Sequence, residues 1–287
     1  MLETTTKNPP TDSKSTVVPY LTTAHGILFH ADCLDLLART RSDSVHCVFA
    51  DPPFNLDKYY GNGFTDLRKD DEYLAWCFQW IDESCRVLVP GGAFFLYSIP
   101  RWGYHFAARM ERRLKFRHWI ALTMKGTFPR GRKLYPAHYA LLYFTKGEPR
   151  VFNHVRVPIQ TCRHCGGEIK DYGGHRRYMN PKGVNLTDFW EDTSPNRHRK
   201  SKARPGINEL KLMIPERAIQ ISTNPTDIVV DPFGGGGSTY QEAERLGRYW
   251  LGSEIGDCSI IEDRLREFDS MNLNREPPAA VQDLIEV

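Results

Sequence analysis

The sequence predicts an α/β fold, a Rossmann-like and mainly parallel sheet with helices on both faces and one inserted segment. Three observations lead there. Short apolar runs alternate with helical periodicity along most of the 287 residues, which is the pattern of βαβ units. Two of those runs end abruptly in an acid and a special turn, at Asp51-Pro-Pro-Phe54 and at Asp231-Pro-Phe-Gly-Gly-Gly-Gly-Ser-Thr239. Between residues 148 and 205 the periodicity fades and Gly, His, Arg and Asn dominate, so that stretch reads as an insert packed on the sheet's edge.

Taken in order, residues 1–21 are rich in Thr, Pro and Lys and read as a flexible lead-in. Residues 26–30 form a short strand, and Asp32 caps a brief helix after it. The run 44–50 is an apolar strand closed by Asp51, because Pro52 and Pro53 cannot continue a central ladder. Asp51 therefore sits at the carboxyl end of its strand, the edge where open α/β sheets bind ligands. Residues 72–88 carry a helical stripe of Leu74, Trp76, Cys77, Trp80, Ile81, Cys85 and Leu88, which reads as core. Pro90-Gly91-Gly92 stops that helix before a strand at 93–97. A helix over 104–115, a strand over 119–123 and a strand over 139–144 follow, the last two joined by a basic loop. Beyond the insert, residues 208–222 return to helix, with a kink or a break expected at Pro215. The domain plan is thus a catalytic half over 22–147, the insert over 148–205, a second half over 206–272 and a polar, frayed tail over 273–287.

The second acid-ended run, Ile228-Val-Val230, opens into four glycines and then a helix from Tyr240. Glycines let backbone N–H groups approach a ligand, and the helix N-terminus adds partial positive charge. The dinucleotide spacing G-x-G-x-x-G is only loosely met, and no Lys follows the glycines as a Walker loop requires. An acid at the strand end repels phosphate and suits a ligand with a cationic or hydroxyl-bearing group, such as S-adenosylmethionine. A purely structural turn is the alternative. Glu254 ends the next strand, about twenty residues on, where an acid that binds ribose is expected.

Composition sets the outer limits. With 40% hydrophobic and 25% charged residues the chain reads as soluble and globular. The net charge of +3 gives no global case for nucleic acid, so any such case rests on local clusters. No apolar run approaches the roughly 18 residues of a membrane span. The first fifteen residues hold no apolar signal core, and seven scattered cysteines fit a reducing cytosol. The expected location is the cytoplasm.

Asp51-Pro-Pro-Phe54 and the four-glycine turn together resemble the DNA amino-methyltransferases, whose catalytic motif is D/S/N-P-P-Y/F/W and whose cofactor motif is D-P-F-x-G-S-G-T. The catalytic motif comes first here, which is the order of the family's β class. His30-Ala-Asp32-Cys-Leu-Asp-Leu-Leu and Leu210-Lys-Leu-Met-Ile-Pro-Glu-Arg217 resemble the flanks of those motifs. The likeness covers about residues 26–268, the insert least. One departure is that Gly235-Gly236-Gly237 stands where the family has Gly-Ser-Gly.

The resemblance implies transfer of the sulfonium methyl of S-adenosylmethionine to the exocyclic amino nitrogen of a flipped base. Asp51 and the Pro52 carbonyl would accept the amino hydrogens, Pro53 would stiffen that turn, and Phe54 would stack on the base. Asp231, Phe233, Gly234, Gly236, Ser238 and Thr239 would hold the methionine end of the cofactor. Glu254 would take the ribose, Ile255 would pack on adenine, and Asp32 and Cys33 would lie by the adenine edge. Lys211 would reach the methionine carboxylate, with a solvated lysine the alternative. Asp in the first motif position favours adenine-N6 as the target, and cytosine-N4 is the alternative. An RNA or protein amino-methyltransferase, or an inactive DNA-binding module, are further alternatives.

Two basic clusters suit phosphate contact with double-stranded DNA: Arg130, Arg132 and Lys133 between two strands, and Arg197, Arg199 and Lys200 at the end of the insert. Solvated loops are the alternative for each. The insert, with basic residues interleaved with Tyr172, His175, Tyr178, Phe189 and Trp190, is expected to be the target-recognition segment. Cys162-Arg-His-Cys165 is one C-x-x-C pair in a spacing that matches no zinc ribbon, so no metal is expected. A cognate restriction endonuclease as partner, and a monomer or homodimer, are both left open.

Overall fold

A computed structural model of the chain describes residues 18–56, 67–124, 132, 134, 136–159, 161, 164–168, 171, 173–193 and 210–285. Its strands are β1 (Pro19–Thr22), β2 (Gly26–His30), β3 (Val45–Ala50), β4 (Leu88–Ser98), β5 (Lys115–Thr123), β6 (His138–Thr145), β7 (Arg156–Val157), β8 (Val184–Asn185), β9 (Phe189–Trp190), β10 (Ile228–Asp231) and β11 (Tyr249–Glu254). The α-helices are α1 (Cys33–Arg39), α2 (Asp70–Val87), α3 (Pro100–Met110), α4 (Met213–Ser222), α5 (Ser238–Arg245), α6 (Ser259–Asp269) and α7 (Ala279–Gln282).

Nine strands form one sheet in the order β1-β2-β11-β10-β3-β4-β6-β5-β9. From β2 to β4 every neighbour is parallel; β6 pairs antiparallel with β4, and β5 antiparallel with β6. The expectation of a mainly parallel sheet holds for its centre. Parallel strands covered on both faces become apolar throughout, and all four residues of β10 are buried. One face packs Leu36 and Leu37 of α1, Trp80 and Ile81 of α2, and Trp102 and Phe106 of α3 into a single cluster. The other packs Ile219 of α4, Tyr240 of α5 and Ile261 of α6. Gly26 leaves room for the Trp250 indole, since an added Cβ would fall 2.2 Å from it.

Several boundaries differ from expectation for local reasons. The lead-in ends at Pro19, not after Leu21, because β1 adds an antiparallel edge to β2 and buries Leu21; residues 1–17 lie outside the described residues. Pro90-Gly91-Gly92 does end α2, but it sits inside β4 as a bulge, where the register jumps between Val45↔Leu88 and Cys47↔Ala93. The helix expected over 104–115 starts at Pro100 and stops at Met110. Lys115 already belongs to β5, whose Phe116 and Lys115 pair with β6. Pro215 causes no kink: α4 starts at Met213, so the proline falls in the first turn, where N–H groups have no helical partner.

The tail is not frayed over its described length. Val281 and Leu284 are buried in the first core cluster, and Arg41 N–H donates to Leu284 O at 2.8 Å. The insert adds to the sheet itself, through β9 beside β5, as well as forming the separate β7–β8 ribbon. Among the described residues no helix is long and apolar enough to cross a membrane.

Candidate active site

The site lies at the carboxyl edge of the central parallel strands. Neighbours β10 and β3 pair Val229 with Cys47 and Val230 with Val48. Continuing that register brings Asp231 level with Phe49, so Asp51 stands two residues above it on the next strand. Glu254 closes β11 on the other side of β10. Crossovers from β3 and from β10 leave on opposite faces, through α2 and α5. Adjacent strands whose chains depart to opposite faces leave a crevice between them.

The two acids behave electrostatically as neighbours. Burial holds the Asp231 carboxyl well above the usual carboxylate range, against hydrogen bonds from the Thr239 hydroxyl and the Phe233 N–H. The charges of Asp51 and Glu254 push it the same way. Acids from three strands converge on one crevice, which suits a cationic ligand. The same charges disfavour a phosphate.

The glycine turn is braced from below. Tyr240 Oη donates to Asp231 O at 2.8 Å, and Ser253 Oγ donates to Pro232 O at 3.0 Å. Gly234 N–H donates to Ser253 O at 2.8 Å. A Cβ on Gly234 would fall 2.8 Å from Ile261 Cδ1, 2.9 Å from Tyr240 Oη and 3.1 Å from Ser253 O, so the turn is tightly packed there. Gly237 caps α5 in the left-handed region at φ 76°. The buried Arg264 of α6 donates to Gly236 O and, at 2.9 Å, to Gln241 Oε1. At the ligand side the Glu254 carboxylate accepts Gly235 N–H at 2.7 Å and Gly256 N–H at 2.6 Å. An added Cβ on Gly235 would meet only Phe233 O, at 3.9 Å, so the turn is open there.

The other cofactor candidates divide. Ile255 is 60% exposed beside Glu254. Asp32 stands at the end of β2, next to β11, and its carboxylate caps α1 by accepting Leu34 N–H at 2.8 Å. The Cys33 side chain is buried in the core, and burial pushes its thiol up. Phe233 packs its ring edge-on against Trp80 and Trp76 of α2, at 5.0 and 5.9 Å between centroids. Ser238 Oγ donates to Leu210 O at 3.2 Å, which ties the turn to the chain entering α4. Lys211 Nζ donates to Asp192 O at 3.0 Å, on the insert; reaching a ligand carboxylate would require releasing that bond.

The catalytic candidates form an aromatic wall. The Phe54 ring is buried and lies 5.8 Å from Tyr97 and 6.1 Å from Tyr139, which are themselves 5.0 Å apart. Burial, aided by the Asp51 charge, raises the Tyr97 hydroxyl well above its ordinary value. The sequence reading placed Tyr97 and Tyr139 in strands and missed this role. The available signal was a tyrosine ending β4 and another beginning β6, which antiparallel pairing brings to one edge. Tyr240 and Arg264 were missed too, since a helical stripe gives no hint that a buried polar group faces a turn.

Of the basic candidates, Arg132 is exposed between β5 and β6, whose facing ends, Thr123 and His138, pair at the carboxyl edge. Arg130, Lys133, Arg197, Arg199, Lys200, Cys162 and Tyr172 lie outside the described residues. The residues flanking the second cluster lie at that same edge. Thr193 Oγ1 donates to Trp190 O at 2.8 Å, next to Leu122, and Leu210 meets Ser238. Among the described residues there is no group of three His, Cys, Asp or Glu that could hold a metal ion.

Comparison with known proteins shows the family and the fold. Residues 45–262 match a family described as DNA methylase, covering N6- and N4-type enzymes. The chain is 50% identical over 254 residues to the type II methyltransferase M.BamHI of Bacillus amyloliquefaciens. That match takes in 88% of this chain but 60% of the relative, so this chain spans well under two thirds of its length. The fold superposes on the PvuII cytosine-N4-specific DNA methyltransferase with a TM-score of 0.60 at 20% identity, covering 91% of this chain and 97% of that one. It also superposes on the Thermus thermophilus protein TTHA0409 complexed with S-adenosyl-L-methionine, with a TM-score of 0.57 at 20% identity, covering 85% and 94%.

Proposed function

The chain belongs to the N6/N4 DNA methylase family, and from that premise we propose that it is a site-specific DNA amino-methyltransferase using S-adenosylmethionine. The observation that carries the reading is the placing of Asp51 and Asp231 at the ends of adjacent parallel strands, with Glu254 on the third. When bound, the cofactor supplies an electrophilic sulfonium methyl. The residues present fit it: a buried acid in need of positive charge, an open glycine turn, and a carboxylate beside an exposed Ile255.

The roles of the chain's own groups follow from their chemistry. Asp231 and the N–H groups of the turn hold the cationic amino-acid end, and Glu254 takes the ribose hydroxyls while keeping the turn closed. An exocyclic amino nitrogen is a poor nucleophile because its lone pair is delocalised into the ring. Asp51 and the Pro52 carbonyl accept its two hydrogens and localise that lone pair for in-line attack. The nitrogen loses one proton as it gains the methyl, and the Asp51 carboxylate is placed to accept it. Phe54, with Tyr97 and Tyr139 behind it, supplies the apolar wall for a base extruded from the duplex.

The target is an exocyclic amino group, adenine N6 or cytosine N4; both fit a pair of acceptors at Asp51 and Pro52. The insert reads the site, and the two basic clusters contact backbone phosphates. The chain acts in the cytoplasm as the modification half of a restriction–modification pair. The test is nucleoside mass spectrometry of duplex DNA incubated with protein and isotope-labelled cofactor. Labelled N6-methyladenine or N4-methylcytosine is expected, and DNA without label despite cofactor binding overturns the reading.

A further inference from the structure

The motif Asp51-Pro-Pro-Phe54 presents a problem of rigidity. Residues 51–54 belong to no strand or helix, and Pro52 and Pro53 have no N–H to donate. A segment without N–H groups is held chiefly through its carbonyls. Two consecutive carbonyls are held, each by a buried aromatic donor. Tyr73 Oη, from α2, donates to Pro53 O at 2.6 Å, and Trp102 Nε1, from α3, donates to Phe54 O at 2.8 Å. The two rings are 1% and 2% exposed and lie 5.0 Å apart between centroids. Directly after them, Asn55 takes a left-handed conformation at φ 57°. Its amide accepts Arg68 N–H at 2.7 Å and donates to Arg68 O at 3.0 Å.

Resting on the methyl-transfer reading above, we infer that Tyr73 and Trp102 are positioning residues for the reaction. By fixing the peptide planes after Pro53 and Phe54 they set where the Pro52 carbonyl and the Phe54 ring stand relative to Asp51. Neither residue touches the reacting atoms. Their action is to keep two acceptors aimed at one amino nitrogen in a turn that the sheet ladder cannot hold.

A buried tyrosine needs a partner in any fold, so the test must separate positioning from stability. Tyr73→Phe keeps the ring in its packing with Trp76, Trp102 and Phe106 and removes the hydroxyl that donates to Pro53 O and meets the Cys77 thiol. Single-turnover methyl transfer at saturating cofactor and DNA is expected to slow about 10- to 100-fold, the scale of a misplaced reacting group. Cofactor and DNA dissociation constants should stay unchanged. Trp102→Phe, with its donor lost from the other helix, should slow the same step. Phe106→Leu is the packing control: it should lower Tm and leave the transfer rate intact. A Tyr73→Phe protein that transfers at the wild-type rate overturns the inference, as does Phe106→Leu slowing transfer as much. Wild-type protein that binds cofactor but labels no DNA refutes the functional reading instead, and the inference falls with it.

Discussion

Gly252 of β11 lies against the ring of Tyr240 so closely that a Cβ on the glycine would fall 2.2 Å from the ring's Cζ and hydroxyl oxygen. Tyr240 in turn carries the hydroxyl that holds Asp231 O. Gly252→Ala therefore acts on the cofactor turn from beneath, by displacing a fully buried ring. Overpacking plus the lost hydrogen bond should cost about 2–4 kcal/mol. Gly235→Ala meets open space but a φ of 51°, so its cost is the left-handed backbone alone, about 1–2 kcal/mol. Denaturant unfolding of both variants checks the order, and equal losses would show that Tyr240 yields freely.

Asp51 and Glu254 should separate chemistry from binding. On the proposed reading Asp51→Ala removes an acceptor for the target amino group, so kcat should fall about 100-fold or more while cofactor affinity holds. Glu254→Gln replaces a carboxylate that accepts Gly235 and Gly256 N–H groups with an amide that can accept on one side only. Cofactor Kd should rise about tenfold, with most of kcat recovered at saturation. Calorimetry and steady-state kinetics on the two variants measure this. A shared phenotype would merge two roles that the strand order keeps apart.

Asp231 predicts a proton linked to binding. Its folded pKa is raised above the unfolded value of about 3.9, chiefly by burial. The folded protein then holds a proton that the unfolded chain releases, so this group contributes stability at low pH. That contribution is lost as pH rises from about 4 through the folded value. The ligand-free Tm should decline over that window, and Asp231→Asn should flatten the decline. A ligand bringing positive charge favours the ionised form, so cofactor binding should release protons. Calorimetry in buffers of different ionisation heat reads that release directly, and zero release would place the cation elsewhere.

The carboxyl-edge acids were legible because prolines and glycines punctuate strands in a way few other residues do. Asp51 before two prolines and Asp231 before four glycines each announce a strand end, and βαβ alternation puts such ends on one edge. Tyr73 and Trp102 were not legible. Their stripe on α2 and α3 is what a core-facing helix needs anyway, and a hydroxyl or indole N–H that meets a carbonyl 20 or 48 residues away leaves no local trace. The edge strand β1 and the reversed direction of β6 were missed for a related reason. Orientation depends on which neighbour a strand finds, and an apolar run reads alike in both directions. The tail misled through its prolines, since Val281 and Leu284 carry the packing within an otherwise polar stretch.

Among the described residues, ion pairs at two places join the insert to the half that carries the glycine turn: Arg150 with Asp227, and Asp192 with Arg217. Asp192, just past β9, accepts two hydrogen bonds from Arg217 of α4, at 2.8 and 2.5 Å, and the guanidinium lies 5.1 Å over the Trp190 ring. Those bonds hold the Asp192 carboxyl below its usual range. Its contribution is therefore complete above about pH 4 and fades as pH falls through the lower folded value. The Arg217 side chain is 9% exposed while that of Asp192 is 51% exposed, so the partners are unequal. Removing the carboxylate strands a buried cation, whereas removing the cation leaves an acid that water can reach. Asp192→Ala should accordingly cost about 1–3 kcal/mol. Arg217→Met added to it should return much of that loss, because the pair is then replaced by an apolar contact with Trp190. Unfolding free energies of the two single variants and the double variant close the cycle. Additive losses would mean that the guanidinium is stabilised by its ring contact, and that the insert is anchored by its other contacts, among them β9 pairing with β5 and Arg150 with Asp227.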